Sequence, residues 1–363
     1  MTLVLMVMFT RPAFAIYDPL SVPNNKFGLH ILEPNEIDKA REFVNSTGGE
    51  WGYVTIPIRA NDRNAEKWLE FMKKSREQKI IPILRIASFP VSSDVNSGSA
   101  AHWVAPNDYD LVDFAVFLNE LPWPTKNRYV IIYNETNHES EWGGFVYPEE
   151  YARILDRAID IFRQVNRDFF LISAGMDSSQ TNIYSYFSVM ENTVPGILNK
   201  VNGLSFHAYG NPGFTTPPNT YSKVNIASFR FEENYLCRNF SVCNRPIFLT
   251  ETGWKNAQDW YFENAFGNVW TDQNIVAITP FLLSGGDGPF KEFSFVDENA
   301  NFKSFAKKII AFPKIAGRPL ITDPPVAKIN KFSEIGKLVP GAIPVIEPNI
   351  IEKLFNLLRQ IFS

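Results

Sequence analysis

An α/β chain folded as a (β/α)8 barrel, with a Pro-rich C-terminal extension ending in an amphipathic helix, is what this sequence predicts, and three observations carry the prediction. Eight short apolar runs alternate with amphipathic stretches. The alternation occupies roughly 290 residues, where about 250 is typical of such barrels. Polar residues with chemistry to offer collect where the runs stop. A doubly wound sheet is the alternative, but it usually carries a Gly-rich phosphate turn after its first strand, and HILEPNE at 30–36 is not one.

Taken in order, the first strand is expected over 26–32 (KFGLHIL), with a helix in PNEIDKAREFVN behind it. Strand two, 51–58, leads into NAEKWLEFMKKSREQ, and strand three, 79–87, into YDLVDFAVFLNEL. Strand four, 128–134 (RYVIIYN), precedes PEEYARILDRAIDIFRQV, which opens on Pro148 and two acids at the end where the helix dipole favours them. Strands five to eight are expected over 169–174, 201–209, 246–251 and 274–283. Each run is rich in Ile, Val, Phe or Leu, as buried parallel strands are.

The ends of the chain differ from this pattern. Residues 1–15 form an apolar run closed by Ala13-Phe14-Ala15, the A-x-A pattern of a secretory signal peptide, so export and a mature start near Ile16 are expected. The run lacks Lys or Arg ahead of it, which leaves an upstream start or a short uncleaved anchor as alternatives, and it is too short to span a bilayer. From 313 to 348 the chain is Pro-interrupted and reads as an extended linker. In residues 349–363, Ile350, Ile351, Leu354, Phe355, Leu357, Leu358, Ile361 and Phe362 share one helix side. Such a helix docks on the barrel, pairs with another subunit or makes peripheral membrane contact.

Composition excludes several classes. With 45% hydrophobic residues the chain is no disordered segment. A net charge of −4 without a Lys/Arg stripe gives no electrostatic footprint for a nucleic-acid partner. Cys237 and Cys243 flank RNFSV at a spacing compatible with a small disulfide loop; two unpaired thiols are the other reading, because spacing does not fix Cβ geometry. Asn45 opens an Asn-x-Ser/Thr triplet that glycosylation would need.

In barrels of this type the reactive groups sit at the C-terminal ends of strands and in the loops beyond. Strand four ends in Asn134-Glu135, strand six in His207 and Tyr209, and strand seven in Glu251 followed by Trp254. Simple alternation puts Ile131, Tyr133 and Glu135 on one face of strand four, and Ile247, Leu249 and Glu251 on one face of strand seven. Two carboxylates across a barrel mouth are what glycoside hydrolysis needs: one protonates the leaving oxygen and the other attacks the anomeric carbon.

The combination of YNE after strand four, HAY after strand six and TETGW after strand seven resembles clan A of the glycoside hydrolases, the retaining β-glycosidase barrels, over about residues 26–312. The resemblance implies a general acid/base at Glu135, a nucleophile at Glu251, a contact from Asn134 to the sugar 2-hydroxyl, and a Tyr209 that orients Glu251 beside His207. It further implies an arginine near the nucleophile, for which Arg59 and Arg85 are the candidates. It implies no metal or organic cofactor and a β-linked carbohydrate as substrate. Clan members often place a tryptophan after strand eight, where this chain has Phe281; Trp142 and Trp254 are then candidates to stack on sugar rings, with packing under their loops as the other reading. His138, Glu139 and Glu141 match no metal-binding spacing. The long connection after strand three is expected to wall the cleft, with His102 and Trp103 as substrate contacts or else as parts of an ordered non-catalytic loop. A catalytically silent carbohydrate-binding or scaffolding barrel is the alternative function. An aldolase-type barrel would want a lysine at a strand end, and none of the eight runs supplies one.

Overall fold

A computed structural model describes residues 16–91 and 102–323. The eight expected strands form as β1 (Gly28–His30), β2 (Gly52–Arg59), β3 (Ile80–Ala87), β4 (Arg128–Ile132), β5 (Phe169–Ile172), β6 (Leu204–Tyr209), β7 (Ile247–Gly253) and β8 (Ile275–Ile278). They pair in parallel, β1 through β5 in one run and β6 through β8 in another. Parallel bridges Phe27 to Ile278 and Ile172 to Gly203 close the two runs into one barrel. Strand eight is shorter than the apolar run suggested, so Phe281 lies beyond the sheet rather than in it.

Helices supply the crossovers that parallel pairing demands: α1 (Ile37–Val44), α2 (Ala65–Glu77), α3 (Asp108–Glu120), α4 (Pro148–Val165), α5 (Ile183–Thr193), α6 (Ser228–Phe240), α7 (Asp259–Asn264) and, after β8, α8 (Ser304–Ile310). Their starts are written in the sequence. Asn64 accepts the Lys67 amide at the head of α2, and Asn107 with Asp110 forms a capping box on α3. In α4 the buried side is Tyr151, Ala152, Ile154, Leu155, Ala158, Ile159 and Phe162, a stripe with helical spacing that faces the strands.

Two apolar layers result. One lies between strands and helices; the other fills the barrel with Tyr53, Ile81, Ile83, Tyr129, Ile131, Phe170, Ile172, Phe248 and Val276. The N-terminal end of the barrel is covered by residues on both sides of it in sequence. Tyr53 donates its hydroxyl to Asn24 at 2.7 Å, Gly317 donates its amide to the Glu50 carbonyl at 2.9 Å, and Lys126 donates to the Leu320 carbonyl at 2.8 Å. Residues 313–323 are therefore a strap on the barrel, not the start of a free linker: Arg76 clamps the Thr322 carbonyl at 2.9 Å, and the buried Lys314 ammonium donates to the Ile309 carbonyl at 2.8 Å. The expected signal peptide at 1–15, the rest of the linker and the amphipathic helix at 349–363 lie outside the described residues. Among the described residues no helix is long and apolar enough to cross a membrane.

Cys237 and Cys243 form a disulfide across the end of α6, which decides between the two readings of that pair. The bond closes a loop with a sequence separation of 6, and by loop entropy its removal is expected to cost about 2 kcal/mol. Denaturant unfolding of Cys237→Ser/Cys243→Ser would check this. An unchanged midpoint would mean that the end of α6 already restrains the loop without the bond.

Candidate active site

Both catalytic candidates reach the mouth by breaking the alternation that the strands otherwise obey. β4 ends at Ile132, and Tyr133 and Glu135 then take left-handed backbone angles, φ 68 and φ 35. Ile131 faces the barrel interior while Tyr133 turns outward against Trp142, so the two do not share a face. In β7 the pairing with β6 shifts between Leu249 and Glu251. Ile247 and Leu249 pack outward, Phe248 inward, and the irregularity then brings Thr250 and Glu251 to the mouth together. The expected faces Ile131-Tyr133-Glu135 and Ile247-Leu249-Glu251 are thus corrected. Each left-handed non-glycine residue costs about 1–2 kcal/mol, which the surrounding packing must offset.

Glu251 is buried among donors. Tyr209 gives its hydroxyl to Oε2 at 2.8 Å and Arg85 gives Nη1 to Oε1 at 2.5 Å. His30 Nε2 lies 3.6 Å from Oε1 and His207 Nδ1 3.8 Å from Oε2. Burial works to raise the carboxyl's pKa, but His207, Arg85, His30 and the Tyr209 hydroxyl together outweigh it and hold Glu251 below the usual carboxylate range. Burial, with Glu251 adding to it, pushes the Tyr209 phenol well above its ordinary value, so Tyr209 stays a donor.

Glu135 stands opposite, its Oε1 2.8 Å from His207 Nδ1. The other ring nitrogen of His207 is 3.2 Å from Thr250 Oγ1. Burial disfavours charge on this imidazole, yet Glu251 and Glu135 prevail and raise its pKa. One ligand atom each from Glu135, His207 and Glu251 lie within 4.8 Å of one another, a spacing a cation would accept. Those atoms are already engaged, Glu135 with His207 and Glu251 with Arg85 and Tyr209, and Arg85 supplies the compensating positive charge.

The remaining candidates separate clearly. Arg85, not Arg59, reaches the nucleophile candidate: it bridges Glu251 and Asn134, whereas Arg59 is exposed and offers its carbonyl to Arg63. Asn134 also donates Nδ2 to Glu141 at 3.2 Å. Trp142 and Trp254, each 1% exposed, are packing residues and present no face to a sugar. The indole of Trp142 donates to Glu150 at 2.7 Å between Tyr133 and Tyr151; that of Trp254 donates to the Thr216 carbonyl at 2.6 Å amid Tyr261, Phe262 and Trp270. Deleting such a buried ring costs about 3–5 kcal/mol, so Trp254→Ala is expected to lower the unfolding free energy by that amount. An unaltered thermal midpoint would contradict it.

Phe281 backs the site, its ring edge-on to His30 at 5.1 Å and clustered with Tyr209 and Phe293; at 7% exposed it offers little platform. His102 and Trp103 pair antiparallel with Pro90–Val91 in a small hairpin beside the β4 loop, and the Trp103 carbonyl accepts from Gly143 at 2.7 Å. The remainder of that connection, 92–101, lies outside the described residues. Rather than joining a metal site, His138 binds Asp177 at 2.8 Å and Glu141 binds Asn134, while Glu139 is exposed.

Two residues escaped the sequence reading, His30 and Thr250, and Glu141, weighed there only as a metal ligand, joins the site through Asn134. His30 ends β1, but the apolar run continues to Leu32, so reading strand ends from the sequence passes over it. It is fully buried, neither ring nitrogen has a hydrogen-bond partner among the described residues, and burial, opposed by Glu251, pushes its pKa down to about 3, so it is neutral. Thr250 was masked by the assumption of strict alternation.

Comparison with known proteins gives a fold and no closer relative. No family model matches the chain, and no curated protein does. Among solved structures, a β-mannanase from Thermomonospora fusca shares 15% identity at a TM-score of 0.50, covering 80% of this chain and 89% of its own. Endoglucanase Cel5A from Thermotoga maritima shares 13% at 0.51, covering 81% and 100%. A GH128 endo-β-1,3-glucanase from Sorangium cellulosum shares 12% at 0.51, covering 79% and 98%. The chain has the barrel fold of clan A glycoside hydrolases.

Proposed function

We propose that this barrel is a retaining glycoside hydrolase acting on a β-linked oligo- or polysaccharide. The observation that carries the reading is the pair of carboxyls at the mouth, with an oxygen of Glu135 and one of Glu251 within 4.8 Å. Retaining enzymes hold the two groups about 5–5.5 Å apart, while inverting ones leave about 6.5–9.5 Å for a water between them. In the first step Glu251 Oε attacks the anomeric carbon as the C–O bond to the leaving group breaks, and Glu135 gives its proton to the departing oxygen. Glu135 then takes a proton from water, whose oxygen displaces Glu251 from the covalent glycosyl ester. Arg85 and Tyr209 keep Glu251 ionised and aimed, and the sugar 2-hydroxyl is the expected partner of Asn134. The neighbours' mannan and glucan activities support a carbohydrate substrate of this class, and the disulfide supports an oxidising, exported location.

The test is a panel of aryl β-glycosides with β-glucan, xylan and mannan oligomers, followed by proton NMR of the first-formed anomer. A β product from a β substrate is expected. An α product would exclude the double displacement, and binding of a glycan without turnover would favour the silent-barrel alternative. Liposome flotation with and without residues 347–363 tests the peripheral membrane contact that the two-faced pattern of that segment allows; equal flotation removes it.

A further inference from the structure

Glu141 has no part in the two-carboxylate reaction, yet the fold anchors it at the mouth. It closes the short turn Glu139–Glu141. Directly after it Trp142 is buried between Tyr133 and Tyr151, and Gly143 is tied to the hairpin through the Trp103 carbonyl. Held there, Glu141 Oε2 accepts Asn134 Nδ2 at 3.2 Å. Asn134 Oδ1 accepts from Arg85, and the same Arg85 nitrogen donates to Glu251 Oε1. An unbroken line of hydrogen bonds therefore runs from Glu141 through Asn134 and Arg85 to the nucleophile.

This line specifies the amide twice. Arg85 offers only donors and Glu141, once ionised, only acceptors, so a flipped Asn134 would then meet donor with donor and acceptor with acceptor. With one Nδ2 hydrogen committed to Glu141, the other is the one left for a substrate hydroxyl. We propose that Glu141 is a positioning residue that fixes the Asn134 amide, and through it the Arg85–Glu251 pair, for cleavage of the glycosidic bond. The proposal rests on the glycoside hydrolase reading above.

The electrostatics give it a signature. Burial first, then Glu135, pushes the Glu141 carboxyl up to about 7, with Arg85 and the Asn134 amide opposing and Glu251 adding to the rise. Other titratable groups on the elements packed here are Glu139, exposed on the same turn, His138, in the same loop, and His102, on the hairpin strand.

Two measurements on Glu141→Gln, Glu141→Leu, Asn134→Ala and the Asn134→Ala/Glu141→Leu pair test this. In steady-state kinetics across pH, Glu141→Gln keeps an acceptor oxygen and should stay within a few-fold of wild type at its plateau while losing an ionisation near pH 7. Glu141→Leu should lose up to about 10²-fold in kcat/KM, as misplaced groups do. The pair should be no worse than Asn134→Ala, because both changes act on one amide. Wild-type kcat/KM in Glu141→Leu, or full additivity in the pair, overturns the proposal.

Thermal unfolding against pH reads the same contact without a substrate. A carboxyl whose folded pKa is raised contributes stability that is complete below its unfolded value and lost as pH rises through the folded one. Glu141 should therefore contribute a loss of stability between about pH 4.5 and 7, read as the difference between wild type and Glu141→Gln, and Asn134→Ala should move that contribution to higher pH. If no glycoside is turned over, the functional reading fails while the melts still decide the contact: an Asn134→Ala profile identical to wild type overturns it.

Discussion

Glu251→Gln is expected to lower kcat/KM on aryl β-glycosides by on the order of 10⁴-fold or more, because the amide cannot form the glycosyl ester. Glu135→Gln should behave differently. General acid catalysis is worth about 10²–10⁴-fold, so this variant loses most on natural linkages and least on aryl substrates whose leaving group departs without a proton. The contrast between leaving groups assigns the roles, since a merely structural glutamate would depress all substrates alike. Thermal melts of both variants separate lost chemistry from lost fold. Equal losses on aryl and natural substrates in both variants would sink the assignment of Glu135 as acid and Glu251 as nucleophile.

Arg85→Met should be costly to stability as well as to rate. It leaves the buried Glu251 carboxylate without its closest cation and frees the Asn134 amide at the same stroke. Breaking a buried pair in this way costs about 3–5 kcal/mol. The pH dependence has a definite sign. In wild type the folded pKa of Glu251 is lowered, so its contribution to stability is present above the unfolded carboxyl pKa and lost as pH falls through the lower folded value. The penalty of Arg85→Met is therefore greatest at neutral pH and shrinks in acid, where Glu251 becomes protonated in the variant first. Denaturant unfolding of both proteins at pH 7 and pH 4 measures it, and a penalty of equal size at the two pH values would contradict the ion pair's role.

Much of this molecule was legible before any coordinates. The apolar runs marked all eight strands because a buried parallel strand needs continuous Ile, Val, Leu or Phe, and α4 was readable from Pro148, its first-turn acids and its helical stripe. Placing chemistry at strand ends brought Glu135, Glu251, His207, Tyr209 and Asn134 into one candidate mouth, where the structure indeed groups them. The sequence left the tryptophans open between stacking and packing, because an indole beside a strand-end loop looks the same in sequence whether it lines the cleft or supports it. Only burial, and the partners at Glu150 and Thr216, tell the two apart.

What the sequence by itself determined is the order of strands and helices and the residue types delivered to the barrel's C-terminal rim, since both follow from local periodicity and from where each apolar run stops. Tertiary structure alone decided which side chains face inward, that Arg85 rather than Arg59 meets Glu251, that His30 and Glu141 join them, and that residues 313–323 bind the barrel as a strap. The physical reason is that these choices depend on partners far away in the chain. The shift in β7 is an offset against β6, the left-handed residues after β4 persist because the packing around them holds that backbone, and the Arg85 pair spans 166 residues. No local pattern records such offsets, because they exist only once the strands have paired around the closed barrel.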